Sequence, residues 1–190
     1  MNITLNELRD IAYKCAINHG WHNDNLSDEH YLCLVISELM EAVEADRKDR
    51  YANRSQFEYY MKQQKRSNEE FIYAFRHTIK DTVEDELADA CIRLLDLAGL
   101  RNTDLGIIDF YALKCSEWDS TWTFTENMYS LVSDITDQRF IEINDVDSHI
   151  RMSIRTIIGF CVKKNIDIMW YINQKMKYNE FREYKHGKKY

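Results

Sequence analysis

Ile36-Ser37-Glu38-Leu39-Met40-Glu41-Ala42-Val43-Glu44-Ala45 carries two glutamates, Glu38 and Glu41, three residues apart inside a periodic apolar run. That offset puts both carboxylates on one face of a helix. Advancing about 100° per residue, Glu38 falls between Leu34 on one side and Val35 and Ala42 on the other, away from the charged positions Glu44, Arg47 and Lys48. Glu38 is therefore expected to point inward. A second stretch, Asp85-Glu86-Leu87-Ala88-Asp89, repeats the pattern: Glu86 is flanked by Ile79, Val83, Ala90 and Leu97, with Asp89 at the edge of that arc near Arg93. Either motif alone describes an ordinary solvated face. Two helices that each place a carboxylate on an apolar stripe are different, because a buried carboxylate without a counter-charge is expensive and normally faces a cation or takes up a proton.

The rest of the chain reads as helix. Proline is absent and only five glycines occur, so the two strongest breakers are nearly missing. Apolar residues recurring at about 3.6-residue spacing mark segments over 5–19, 28–48, 55–76, 80–100, 105–116, 125–137, 147–164 and 167–184. Thr4 with Glu7, Ser27, and Asn68 before Glu69-Glu70 are placed to cap helix starts, and Gly20, Gly99 and Gly187 to end helices. The expected fold is all-α, with one domain spanning 1–190.

Bulk properties narrow the function. A net charge of -7 argues against a nucleic-acid polymer as partner, since non-specific affinity for one comes from Lys and Arg on phosphates. The C-terminal stretch reverses the sign: Lys175, Lys177, Arg182, Lys185, Lys188 and Lys189 stand against Glu180 and Glu183. An acidic body with a basic tail suits a small anion held partly through a metal, with a merely solubilising tail as the lesser alternative. No apolar run approaches the roughly 18 residues that span a bilayer, and the start, Met1-Asn2-Ile3-Thr4-Leu5, lacks a basic stretch followed by an apolar block, so no membrane association or export is expected. Cys15, Cys33, Cys91, Cys115 and Cys161 are odd in number and widely spaced, which fits small core residues in a reducing cytoplasm.

Four convergent carboxylates, Glu38, Glu41, Glu86 and Asp89, form a hard-oxygen set that favours Mg²⁺, with Mn²⁺ as a substitute, over zinc. The two acidic motifs, followed by Lys175-Met176-Lys177-Tyr178-Asn179-Glu180-Phe181-Arg182 and the basic ending Lys185-His186-Gly187-Lys188-Lys189-Tyr190, resemble the MazG-like all-α nucleotide pyrophosphohydrolases, whose superfamily includes dimeric dUTPases, dCTP pyrophosphatases and phosphoribosyl-ATP pyrophosphohydrolases. The resemblance covers 28–48, 80–100 and 167–190. It implies an antiparallel helical bundle that assembles as a homodimer or a dimer of dimers, with the MazG-like core at about 1–50, 78–114 and 165–190 and helical insertions at about 51–77 and 115–166. It further implies metal binding by Glu38, Glu41, Glu86 and Asp89, and contacts from Lys175, Asn179, Arg182 and the tail lysines Lys185 and Lys188 to phosphates or sugar.

The expected reaction is hydrolysis of a nucleoside triphosphate to the monophosphate and pyrophosphate, with Glu38 or Glu41 activating the attacking water and the tail stabilising the departing pyrophosphate. On this reading Lys175→Ala weakens turnover moderately. Trp21, just ahead of the first acidic helix, is placed either to stack on a base or to close the bundle. Asp96, one turn beyond Arg93, is expected to orient that arginine. A di-iron carboxylate protein would need two Glu-x-x-His motifs and only Glu183-x-x-His186 occurs. The main alternative is a non-enzymatic helical module whose carboxylates pair with Arg47, Arg93 or tail lysines.

Overall fold

The computed structural model describes residues 4–63, 67–108, 121–137 and 145–187, and every regular element among them is helical. In chain order these are α1 (Leu5–Asn18), α2 (Asp28–Arg47), α3 (Arg54–Gln63), α4 (Asn68–Thr78), α5 (Val83–Arg101), α6 (Phe124–Ile135), α7 (Val146–Lys163), α8 (Ile168–Asn179) and a 3-10 turn, Tyr184–Gly187. None is long and apolar enough to cross a membrane.

Helix α5 is the axis of the molecule. It is buried over most of its circumference, through Val83, Leu87, Ala90, Cys91, Leu94, Leu95, Leu97 and Ala98, as a helix must be when neighbours cover it on several sides. Helices α1, α2, α7 and α8 all pack on it. Gly99 does not end this helix as its position suggests. It lies where α1 crosses closely, so that an added Cβ would overlap the Cβ of Tyr13, and the helix stops instead at Asn102, which adopts the left-handed conformation at φ 54°. Gly20 does follow α1, at φ 78°, and a Cβ there would collide with the Tyr184 ring.

Other boundaries depart from the periodicity for local reasons. The segment expected over 55–76 is two helices, because Ser67 and Glu70 form a reciprocal capping box that starts α4, leaving Asn68 as its first helical residue rather than its cap. Helix α5 begins at Val83 rather than Lys80, since Thr82 is its N-cap and Asp81 sits at φ 60°. The terminal helix ends at Asn179, and the chain then folds back: His19 accepts from the Lys185 backbone N–H at 2.9 Å, and Asn23 Nδ2 donates to the Tyr184 hydroxyl at 2.6 Å. In the segment expected over 105–116, Leu105–Ile108 are not helical and the remainder lies outside the described residues. Cys91 and Cys161 are buried as expected and Cys33 is exposed, while Cys115 is outside the described residues.

The stretches read as insertions contribute to the core. Phe57 of α3 packs edge-on against Phe71 of α4 and Trp170 of α8, and Phe75 stacks on Tyr178 at 4.4 Å between ring centres. Met128, Leu131 and Ile135 of α6 join Ile150, Ile154, Ile157 and Ile158 of α7 in the same buried cluster as α2 and α5. Loops at one end are cross-tied: Arg50 O accepts from Val83 N at 3.0 Å, Thr78 O accepts from Asn53 N at 2.8 Å, and Glu84 Oε2 accepts from Ala52 N at 2.8 Å. These ties join the end of α2 to the start of α5, which sets the two acidic motifs side by side.

Candidate functional site

A cavity of about 260 Å³ opens where α1, α2, α5 and α8 meet, and Glu38, Glu41, Glu86 and Asp89 all line it. Side-chain oxygens of Glu38, Glu41 and Glu86 lie within 4.8 Å of one another. A second set, Asp81, Asp85 and Glu86, is equally close and shares Glu86 with the first. Glu38 and Glu86 are buried, while Glu41 and Asp81 are exposed.

The local charge is unbalanced. Arg93 Nε donates to Glu38 Oε1 at 3.1 Å, and its guanidinium lies over the Trp21 ring, 5.7 Å from the centre. Among the described residues neither Glu41 nor Glu86 has an ion-pair partner. Burial, then the charges of Asp89 and Asp85, push the Glu86 carboxyl up to about 9. Burial and Asp89 likewise push Glu38 up to about 7, with Arg93 pulling the other way. Oxygens crowded this closely, with a proton or a cation needed to hold them together, fit a divalent ion in both donor chemistry and charge.

A pH dependence follows with a definite sign. Both groups have folded pKa values raised above the ordinary 4.5, so the folded state binds more protons than the unfolded chain. Their stabilising contribution is complete below about pH 4.5 and is lost as pH rises through about 7 and then about 9. In the presence of a chelator, urea midpoints should fall from pH 5 to pH 9, and saturating Mg²⁺ should flatten or reverse the trend. A midpoint independent of pH without metal would contradict this electrostatic description.

Lys175 is enclosed by carboxylates rather than left free for a phosphate. It is buried, with Nζ 2.8 Å from Asp85 Oδ2 and 2.7 Å from Asp89 Oδ2. Although burial opposes its charge, these two carboxylates hold Lys175 well above its ordinary range. Asp89 is thereby compensated, as Glu38 is by Arg93, which separates it from Glu41 and Glu86. Asn179, a turn further along α8, also lines the cavity, and its buried Oδ1 has no hydrogen-bond partner among the described residues. Arg182 and Trp21 line the same cavity. Lys185 does not reach the cavity, because the chain bends back after Asn179 and Asp24 holds its Nζ at 3.0 Å. Lys188 lies outside the described residues.

Several residues of the site carry little signal in the sequence, or point there to another partner. Lys80 and Asp81, which pair with each other, enter from the turn before α5. Asp85 supplies half of the cage around Lys175, and its i, i+4 relation to Asp81 and Asp89 was the available signal. Asp96 accepts from His22 Nε2 at 2.7 Å rather than pairing with Arg93, a link across 74 positions of sequence that no local pattern announces. Tyr59, Tyr60, Trp122 and Trp170 do not line the cavity. Comparison of the chain with protein families, with curated proteins and with solved structures finds no match.

Proposed function

We propose that this chain is a metal-dependent nucleotide pyrophosphohydrolase of the MazG-like type, acting on a nucleoside triphosphate to release the monophosphate and pyrophosphate. The observation that carries this reading is the mutual approach of Glu38, Glu41 and Glu86 in one cavity, with Glu38 alone of these three having a cationic partner among the described residues. The resemblance in the acidic motifs and the C-terminal stretch supplies the reaction class.

Glu38, Glu41 and Glu86 would hold Mg²⁺ or Mn²⁺, which supplies Lewis acidity and charge neutralisation beside the phosphates. Glu41, the exposed member of the set, accepts the proton of the attacking water, with Glu38 as the other candidate base. The water oxygen forms one P–O bond while one P–O bond of the anhydride bridge breaks, and pyrophosphate departs. Lys80 and Arg182 offer positive charge on the cavity wall for the phosphates. Asn179, with its unpartnered carbonyl oxygen, is available to accept from a sugar hydroxyl. Trp21 offers a ring on the same wall for a base. A homodimer or dimer of dimers belongs to the same proposal.

A non-enzymatic module that keeps its carboxylates paired internally gains nothing from metal and nucleotide. For the enzyme, Mg²⁺ and a triphosphate added together should raise the melting temperature by more than the sum of their separate effects, since both bind only the folded form. Additive or absent shifts in thermal melts would favour the module.

A further inference from the structure

Beyond the carboxylates, the cavity continues along α5 to a second polar group that the proposed chemistry does not use. Asp96 lies seven residues past Asp89 on the same helix, about 10 Å further along its axis. It lines the cavity with Trp21 and with Ala12, Ala16 and Ile92, whose side chains are small or apolar. The carboxylate cluster is thus separated from an end of the cavity where Trp21, the Arg93 guanidinium over its ring and apolar side chains stand beside the buried Asp96 carboxylate.

That carboxylate is fixed in place. Asp96 is buried, and its Oδ1 accepts from His22 Nε2 at 2.7 Å. The His22 ring is itself held: Nδ1 lies 3.2 Å from the Tyr31 hydroxyl, and the Tyr13 ring packs 5.0 Å away centre to centre. Nε2–H donates to Asp96 and Nδ1 is hydrogen-bonded to the Tyr31 hydroxyl, so both ring nitrogens are satisfied. Asp96 Oδ2 has no hydrogen bond among the described residues. His22 and Tyr31 therefore fix the Asp96 carboxylate in the part of the cavity that Trp21, Arg93 and the apolar side chains also line, with one acceptor oxygen left over. A buried acceptor positioned this way rejects a ligand that brings another acceptor to it, because both would be left unpaired.

We infer that this recess takes the nucleobase and that Asp96, oriented by His22, selects a base bearing an exocyclic amino group. The inference rests on the nucleotide reading above and deepens it: adenine, guanine and cytosine carry an exocyclic N–H₂ donor at a ring position where hypoxanthine, uracil and thymine carry a carbonyl oxygen or a hydrogen, and these last three offer a carboxylate only their ring N–H. His22 acts through Asp96 and is a positioning residue, whereas Asp96 touches the base.

The test is equilibrium binding of nucleoside monophosphates to the full chain in Mg²⁺ by calorimetry, comparing AMP and GMP with IMP, and CMP with UMP. The tightest ligand should carry an amino group and bind at least about tenfold more tightly than its counterpart without one. Asp96→Asn, nearly identical in shape, presents either an oxygen or an N–H₂, and should shrink that preference to within about threefold. Equal binding within each pair, tighter binding of IMP or UMP, no binding of any monophosphate, or a preference unchanged in Asp96→Asn would each overturn the inference. Its fate is separable from that of the reaction: selective binding without triphosphate hydrolysis sinks the hydrolase and leaves this assignment standing, and hydrolysis with indifferent binding does the reverse.

Discussion

Glu86→Gln should abolish hydrolysis while making the metal-free protein more resistant to urea. The two effects have one cause. Glu86 is the carboxylate shared by both close acidic sets, and it is buried with no ion-pair partner among the described residues. Replacing it with a neutral isostere removes a proposed metal ligand, and groups that merely support ligands already cost about 10–100-fold when changed, so a loss of at least about a hundredfold in kcat/KM is expected. Because burial holds its carboxyl up to about 9, the folded metal-free protein must take up a proton at pH 8 that the unfolded chain does not carry. Glutamine needs no such proton. Steady-state assays and urea melts in chelator at pH 8 read both signs. Activity retained in the variant, or a lower urea midpoint, would remove Glu86 from the role assigned to it.

Lys175→Ala should be far more damaging to stability than a tail lysine has any reason to be. The ammonium is enclosed between Asp85 and Asp89, with Asp85 fully buried and its Oδ2 also accepting from the Asp81 backbone N–H at 3.0 Å. Removing the cation leaves two uncompensated carboxylates in the interior, a change that typically costs about 3–5 kcal/mol, against a total stability of about 5–15 kcal/mol for a domain. Lys175→Ala combined with Asp85→Asn should recover part of the loss, because one of the stranded charges is gone. Urea unfolding of the three proteins measures this. A single variant as stable as the parent, or a double variant less stable than the single, would show that the buried triad does not hold α8 to α5.

The sequence carried the helical nature of the chain and the meeting of the acidic motifs for reasons that can be named. Without proline there was little to interrupt a 3.6-residue pattern, and Glu38 and Glu86 stood among apolar neighbours at helical spacing, so their burial was local information. Glu41 was legible as a partner of Glu38 by offset alone. The role of Lys175 was not, because its membership in a basic tail suggested exposure, and only the packing of α8 on α5 shows it inserted between Asp85 and Asp89. The Asp96–His22 pair and the entry of Lys80 and Asp81 from a turn likewise arise from tertiary placement. The break before α4 was written in Ser67 and Glu70, but the neighbouring Asn68 offered a competing cap one residue later.

The central proposal is a reaction, and it is tested most directly by resolving products after the purified chain is incubated with Mg²⁺ and each common NTP and dNTP, alongside Glu41→Gln as control. The account predicts monophosphate and pyrophosphate in equal amounts from at least one triphosphate, with the products missing in Glu41→Gln and in chelator. Diphosphate with inorganic phosphate, turnover undiminished in Glu41→Gln, or no turnover of any nucleotide would contradict it.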